Sequence, residues 1–166
     1  MMKIKISQVI NDSIVDGAGI RLAVFTQGCI HNCPACHNPQ THDINGGKET
    51  DTNKIAAIMA NNPLLDGVTL TGGDPFMQAK QCAEIAKDAH ALGLNVWTYT
   101  GYTYQQLCDK NDPDFNALMD NTDVLIDGRF ILEQRSLELK FRGSKNQRII
   151  DMNKTRETGK IVELYK

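Results

Sequence analysis

The stretch Val68-Thr69-Leu70-Thr71-Gly72-Gly73-Asp74-Pro75 joins a short, β-branched apolar run to an abrupt turn. An apolar run of this kind, bounded by Gly and Pro, predicts a buried strand that ends at the glycines. Similar runs predict strands at 22–26, 95–100 and 124–126. Helical patterns lie between these strands, and such alternation favours a largely parallel sheet.

The helical patterns begin and end at recognisable caps and breakers. One helix starts at Asp51 or Thr52 and stops before Asn61-Asn62-Pro63, a second covers about 77–92, and a third within 104–119 is broken by Asp112-Pro113. Residues 148–151 and 161–164 are further candidate strands, whereas the polar segment 131–146 has no clear pattern.

The length of the chain limits its architecture. A full eight-unit barrel needs about 250 residues, and this chain has 166. We therefore expect an α/β fold, an incomplete (βα) barrel with a mostly parallel open sheet of about five to six strand-helix units. The expected domain organisation is one domain over residues 1–166.

The composition is that of an ordinary globular protein. Hydrophobic residues make up 41% and charged residues 23%, and 18 Lys+Arg against 20 Asp+Glu give a net charge of −2. Such a balance predicts no nucleic-acid partner and no membrane partner. No apolar run approaches the roughly 20 residues of a membrane span, and the N-terminus lacks the pattern of a secretory signal. We expect a cytoplasmic protein.

Chemically distinctive residues follow the predicted strands. They are the cysteine loop after residue 26, Gly72-Gly73-Asp74, Thr100-Gly101 and Asp127-Gly128. Because ligands of parallel sheets gather at the carboxyl ends of the strands, these residues predict a binding site at that edge.

Three of the five cysteines form the pattern C-x3-C-x2-C, with thiols at Cys29, Cys33 and Cys36. Thiolates prefer zinc, copper(I) or iron–sulfur clusters. One interpretation is a structural zinc site with His31, His37 or His42 as the fourth ligand. The other is a four-iron cluster with one iron left without a protein ligand. Cys82 lies on the apolar face of its predicted helix and is expected in the core, and Cys108 has no predicted role.

This cysteine loop resembles that of the radical S-adenosylmethionine superfamily, and the resemblance extends over about residues 10–150. Asp16-Gly17-Ala18-Gly19-Ile20-Arg21 is similar to the D-G-P-G-x-R stretch of glycyl-radical-enzyme activases, with Ala18 in place of proline. Cys36-His37-Asn38-Pro39-Gln40-Thr41 is similar to their C-H-N-P-x-T run, and Gly72-Gly73-Asp74 to the superfamily's G-G-E motif. Three further strings resemble the activating proteins of anaerobic (class III) ribonucleoside-triphosphate reductase: residues 97–102 (WTYTGY), 127–130 (DGRF) and 141–147 (FRGSKNQ).

The resemblance implies an oxidoreductase that uses a [4Fe-4S] cluster and S-adenosylmethionine. Cys29, Cys33 and Cys36 would hold the cluster, and an electron donor such as flavodoxin would reduce it. Cleavage of S-adenosylmethionine would give a 5′-deoxyadenosyl radical, which takes hydrogen from a glycine of the reductase to form a glycyl radical. No catalytic residue is implied beyond the cluster and S-adenosylmethionine, because the cofactors carry the chemistry.

The resemblance also implies which residues contact S-adenosylmethionine. Gly72 and Gly73 would let the backbone approach its methionine part, and Asp74 would accept from its amino group or cap the next helix. The remaining implied contacts are Ala35, Cys36 and His37 on the adenine side, and Thr100 and Asp127 at the strand ends. Arg129 is expected to pair with a carboxylate or to lie in solvent.

Other functions remain open at this level. The chain is also compatible with a radical S-adenosylmethionine enzyme that acts on a small molecule or on another glycyl radical enzyme, and with a zinc-binding module without activity. The open side of an incomplete barrel would leave room for a glycine-bearing loop of a large partner.

Overall fold

The computed structural model describes residues 2–31, 33, 36 and 39–165. Within them, eight strands form a single sheet in the order β3-β1-β2-β4-β5-β6-β7-β8. The strands are β1 (Lys3–Ser13), β2 (Arg21–Thr26), β3 (Lys48–Asp51), β4 (Gly67–Gly72), β5 (Asn95–Tyr99), β6 (Val124–Asp127), β7 (Arg148–Asp151) and β8 (Glu163–Leu164). The α-helices are α1 (Thr52–Ala60), α2 (Ala79–Ala91), α3 (Tyr104–Lys110), α4 (Pro113–Asp120) and α5 (Met152–Thr158).

The centre of the sheet is parallel and its two sides are antiparallel. Strands β2, β4, β5 and β6 run in one direction. An antiparallel pair, β1 and β3, extends the sheet beyond β2, and β7 and β8 extend it beyond β6. The sheet is open, with β3 and β8 at its edges. The mostly parallel α/β fold is confirmed, whereas the count of five to six strand-helix units stays a prediction.

Side-chain caps explain where the predicted helices start. Asp51 Oδ1 accepts a hydrogen bond from the Lys54 amide at 3.0 Å at the start of α1. Asp112 Oδ1 accepts from the amides of Asp114 and Phe115, with Pro113 in the first turn of α4. Proline fits the first turn of a helix but not its interior, so the predicted break divides this segment into α3 and α4.

The two faces of the sheet bury separate sets of side chains. On β5 and β6, Val96 and Leu125 pack with the helices, whereas Trp97 and Ile126 join a smaller cluster on the other face. This alternation follows from the two-residue period of a strand. The helices therefore cover one face of the sheet, and none of those described is long and apolar enough to cross a bilayer.

Arg21 is fully buried at the amino end of β2, opposite the predicted site. Its guanidinium donates to neutral oxygens of four residues: Thr69 (Oγ1, 2.7 Å), Ala18 (O, 2.9 Å), Val68 (O, 2.9 Å) and Asn95 (Oδ1, 2.6 Å). Burial lowers the pKa of Arg21 to about 10, because desolvation disfavours the charged form. Gly17 has a φ of 129°, and a Cβ there would meet the Arg21 side chain at 2.8 Å. The Asp16–Arg21 motif thus closes the amino end of the sheet.

We predict that Arg21→Met lowers the free energy of unfolding by about 3 kcal/mol, because it leaves several buried oxygens without a donor. Urea denaturation of the metal-free protein measures the change. Arg135→Met is the control, since Arg135 is exposed. Equal stability of the two variants would contradict the structural role of Arg21.

Candidate functional site

The sheet brings the ends of its parallel strands to one edge. The Thr100 amide, directly after β5, donates to the carbonyl of Ile126 at 3.0 Å. The Gly128 amide, directly after β6, donates to the carbonyl of Tyr102 at 2.8 Å. Gly72-Gly73-Asp74 follows β4 at the same edge. Five of the described residues predicted for the site therefore lie at the carboxyl ends of the strands: Gly72, Gly73, Asp74, Thr100 and Asp127.

Gly72 and Gly73 pack directly against the start of the cysteine loop. Gly72 has a φ of 101°, and a Cβ on it would overlap the backbone of Thr26. A Cβ on Gly73 would overlap the carbonyl of Gly28 and meet that of Thr41 at 2.8 Å. Backbone packing alone therefore requires glycine at both positions, whether or not a cofactor is bound.

The Asp74 side chain is fully buried, and both of its carboxylate oxygens have partners. Oδ1 accepts from the Phe76 amide at 3.0 Å, which confirms the predicted capping role. Oδ2 accepts from the Thr100 hydroxyl at 2.8 Å and the Gly101 amide at 3.0 Å, and lies 2.6 Å from Nε2 of His31. Since a buried carboxylate without partners is very costly, this network fixes the relative position of three segments: the cysteine loop, the turn after β4 and the end of β5.

Asp127 is also buried and is held by an arginine. Its carboxylate lies 3.1 Å from Nε of Arg148 and 2.5 Å from Nη2, a two-point pairing that restricts its orientation. Oδ2 also accepts from the Tyr104 amide at 2.8 Å. The hydrogen bond to Asp127 raises the pKa of Arg148. The sequence does not predict this pairing with Arg148, which explains why an acidic residue can be buried at the end of β6.

Backbone hydrogen bonds close the base of the cysteine loop. The Gly28 amide donates to the carbonyl of Thr41 at 2.6 Å, and the Cys29 amide to that of His42 at 3.2 Å. Further along, the Cys36 amide donates to the carbonyl of Cys33 at 3.2 Å. The three cysteines of the loop are half-buried, and none of the five cysteines, all of which the structure describes, forms a disulfide. Among the described residues, no three His, Cys, Asp or Glu side chains are arranged to hold a metal ion.

The His31 side chain contacts residues at the edge of the sheet. Its side chain is 7% exposed and its Nε2 is bonded to Asp74. The ring packs edge-on against Tyr102, with ring centroids 4.7 Å apart. An Nε2 that donates to a carboxylate is not available to a metal, which disfavours His31 as a zinc ligand through this atom.

Arg129 contacts the cysteine loop, which neither of its expected roles foresaw. Its Nη2 donates to the carbonyl of His31 at 2.7 Å. Beside Arg129, a cavity of about 480 Å³ opens at the edge of the sheet, lined in part by Gly101, Gln105, Asp127, Asn146 and Arg148. Most of the lining residues carry polar side chains, whereas apolar atoms make up most of the exposed lining surface.

The other expected residues have different positions. Ala35 and His37 lie outside the described residues. Cys82 is buried in the core, as predicted, and Cys108 is exposed. The sequence indicates His31 only as a metal ligand, and the polar segment 131–146 has no clear pattern in it. The signal that points to Arg129 and Gln147 is the resemblance of the strings 127–130 and 141–147 to reductase-activating proteins.

Comparison with known proteins places this chain in a family. Residues 15–150 match the family model described as a 4Fe-4S single cluster domain. The chain is 34% identical to the anaerobic ribonucleoside-triphosphate reductase-activating protein of Vibrio cholerae over 142 residues, which covers 81% of this chain and 89% of that protein. The chain belongs to the family of anaerobic ribonucleoside-triphosphate reductase-activating proteins. The resemblance inferred from the motifs is thereby confirmed.

Other activating proteins show a similar identity, and one solved structure is more distant. The activating protein of Escherichia coli K12 is 32% identical, with 81% of this chain and 90% of that protein covered. That of bacteriophage T4 is 29% identical, with 81% and 86% covered. The crystal structure of QueE from Escherichia coli superposes with a TM-score of 0.48 at 14% identity, over 62% of this chain and 55% of that one.

We predict that Thr100→Val lowers the free energy of unfolding by about 1–2 kcal/mol, because Asp74 loses a buried hydroxyl donor. Thr98→Val is the matched control, since the buried Thr98 hydroxyl bonds to Thr122 at 2.9 Å, away from Asp74. Only Thr100→Val should speed hydrogen exchange at the amides of Gly101 and Tyr102. Equal exchange in both variants would contradict the role of Thr100 at this edge.

Proposed function

We propose that this chain, as a single domain over residues 1–166, activates an anaerobic ribonucleoside-triphosphate reductase by reductive cleavage of S-adenosylmethionine at a [4Fe-4S] cluster. The observation that carries the proposal is the direct bonding of the glycine motif to the cysteine loop. The Gly73 amide donates to the carbonyl of Thr26 and the Asp74 amide to that of Gly28, both at 2.8 Å. The proposed cluster loop and cofactor-binding turn are thus one bonded unit.

The donor set fits a [4Fe-4S] cluster. Three thiols lie on one short loop at the ligand-binding edge, and thiolates are the usual ligands of such clusters. Three thiols leave one iron of such a cluster without a protein ligand, and that iron could bind a cofactor. When bound, the cluster and S-adenosylmethionine would supply radical chemistry. One electron from a donor such as flavodoxin would break a carbon–sulfur bond of the sulfonium and release methionine and a 5′-deoxyadenosyl radical, which would take hydrogen from a glycine of the reductase.

The side chains and backbone of the chain would bind and orient the cofactor rather than react. Gly72, Gly73 and Asp74 form the turn against which the methionine part would lie, and Thr100 holds Asp74 in place. We propose Asp127 as a further contact, oriented by Arg148. Cys36, together with Ala35 and His37 outside the described residues, is proposed for the adenine side.

The cavity at this edge is a candidate entrance for the glycine-bearing segment of the reductase. Gln105 and Asn146 in its lining carry amide groups that can both donate and accept hydrogen bonds. An extended polypeptide offers both kinds of backbone group, so its chemistry matches this lining. We propose the cytoplasm as the place of the reaction.

The cluster is tested by iron content after anaerobic purification. We predict about four iron atoms per chain, a nearly complete loss of iron in Cys33→Ser, and no loss in Cys108→Ser. The second variant is a matched control, because Cys108 is an exposed cysteine on α3, outside the loop. One bound zinc in place of iron would refute the proposed activity and favour the zinc module.

The substrate is tested by isotope transfer. With the reductase deuterated at glycine, we predict that deuterium appears in 5′-deoxyadenosine and that an electron paramagnetic resonance signal of a glycyl radical develops on the reductase. Cleavage of S-adenosylmethionine without transfer from the reductase would favour a small-molecule substrate or another glycyl radical enzyme.

A further inference from the structure

In the sequence, His31 lies between two of the proposed cluster ligands, Cys29 and Cys33. Its ring packs closely against the neighbouring residues. Nε2 lies 2.6 Å from the buried Asp74 carboxylate, a short distance typical of a charge-assisted hydrogen bond. The ring packs on Tyr102, and a Cβ on Gly101 would overlap it. Gly101 is therefore required to make room for this imidazole.

A second contact holds the backbone at the same position. Arg129 Nη2 donates to the carbonyl of His31 at 2.7 Å. The cysteine loop is thus bonded at His31 through both its side chain and its main chain. One contact comes from the turn after β4, and the other from the segment after β6.

The segment that carries Arg129 is itself fixed by the polar motif at residues 142–147. Asn146 Nδ2 donates to the carbonyl of Arg129 at 2.7 Å, and Gln147 Nε2 to that of Gly128 at 3.0 Å. Gln147 Oε1 accepts from the amides of Gly143 and Ser144, at 2.8 and 3.1 Å. This motif makes backbone contacts that orient Arg129 toward the cysteine loop.

We propose that His31 and Arg129 are positioning residues that clamp the cysteine loop to the edge of the sheet and so determine where its thiols can hold the cluster. The inference rests on the proposed function, because it concerns how that cluster is held. The backbone bonds of Gly28 and Cys29 fix the base of the loop, whereas the clamp holds the loop at His31. Restricting the loop before binding reduces the conformational entropy that the cluster must overcome.

The chain contains a matched pair for comparison. His90 Nε2 lies 2.8 Å from Asp123 Oδ2, so the same two residue types meet at a similar distance. Asp123 directly precedes β6, at the amino end of the sheet, and the His90 side chain is 36% exposed. Loss of this contact removes a His–Asp pair without affecting the cysteine loop.

The test compares His31→Ala, His31→Gln, Arg129→Met and His90→Ala after anaerobic loading with iron and sulfide. We expect His31→Ala to lose iron to a chelator about tenfold faster than the unsubstituted protein, as for residues that orient metal ligands. Its reduced cluster should give an altered electron paramagnetic resonance spectrum.

His31→Gln should restore both properties, because its Nε2 can donate to Asp74. Arg129→Met should also speed iron loss, and His90→Ala should change neither property.

A second measurement needs no cluster. In the metal-free protein, we expect His31→Ala and Arg129→Met to speed alkylation of Cys33 by iodoacetamide severalfold, with Cys108 in the same chain as the internal reference. His90→Ala should leave the ratio of the two rates unchanged. Arg129→Met and His31→Gln keep the test decisive if His31→Ala does not fold.

The outcomes separate the clamp from the proposed function. If His31→Ala and His90→Ala release iron and alkylate equally, the clamp is wrong, although a cluster in the unsubstituted protein would still support the proposed function. If Gln does not rescue the loop, the hydrogen bond to Asp74 is not the positioning contact. If the unsubstituted protein takes up no iron, the proposed function fails, and the alkylation rates alone decide whether the loop is clamped.

Discussion

The Asp74 carboxylate is buried at the point where the cysteine loop, the turn after β4 and the end of β5 meet. Its oxygens accept hydrogen bonds from the Phe76 and Gly101 amides and the Thr100 hydroxyl, and one of them lies against His31. Because a charge in such a place is tolerated only with a complete set of donors, each of these segments is confined to one position. The geometry of the binding edge depends on this carboxylate.

The opposite end of the sheet is organised by a buried charge of the other sign. Arg21 is solvated there by carbonyl, amide and hydroxyl oxygens, and its Cζ lies 5.3 Å from the centroid of the Trp97 ring. Strand β2 runs from Arg21 to Thr26 and separates the two charged centres, a span of about 17 Å at about 3.3 Å per residue. Two motifs that are close in sequence, Asp16–Arg21 and the cysteine loop, therefore serve different ends of the molecule.

The sequence predicted those parts of the fold that leave a hydrophobic or capping pattern. The runs at 22–26 and 68–71 are buried strands, and Pro113 begins α4 where a break was expected. Strand β3 was missed because its residues, KETD, are polar, and it is held by backbone pairing with β1. Strand β1 and helix α5 were also missed, since β1 buries few of its side chains and α5 has only seven residues.

The candidate site was predictable in position but not in its bonding. The alternation of strands and helices favours a parallel sheet, and this was enough to predict that Gly72, Asp74, Thr100 and Asp127 lie at one edge. The partners of these residues come from distant parts of the chain: His31 is 43 residues from Asp74, and Arg129 is 98 residues from His31. No local periodicity encodes such contacts. The pairing of Asp127 with Arg148 and the role of residues 142–147 could therefore be recognised only from the structure.

The two outer strands restrict how another polypeptide can associate with this molecule. Strand β3 has four polar residues and β8 has only two residues. Short or charged outer strands are poor templates for β-augmentation, in which a foreign chain extends the sheet by main-chain pairing. A large protein that engages this molecule is therefore expected to contact its loops, and the molecule is protected against end-to-end polymerisation through its sheet.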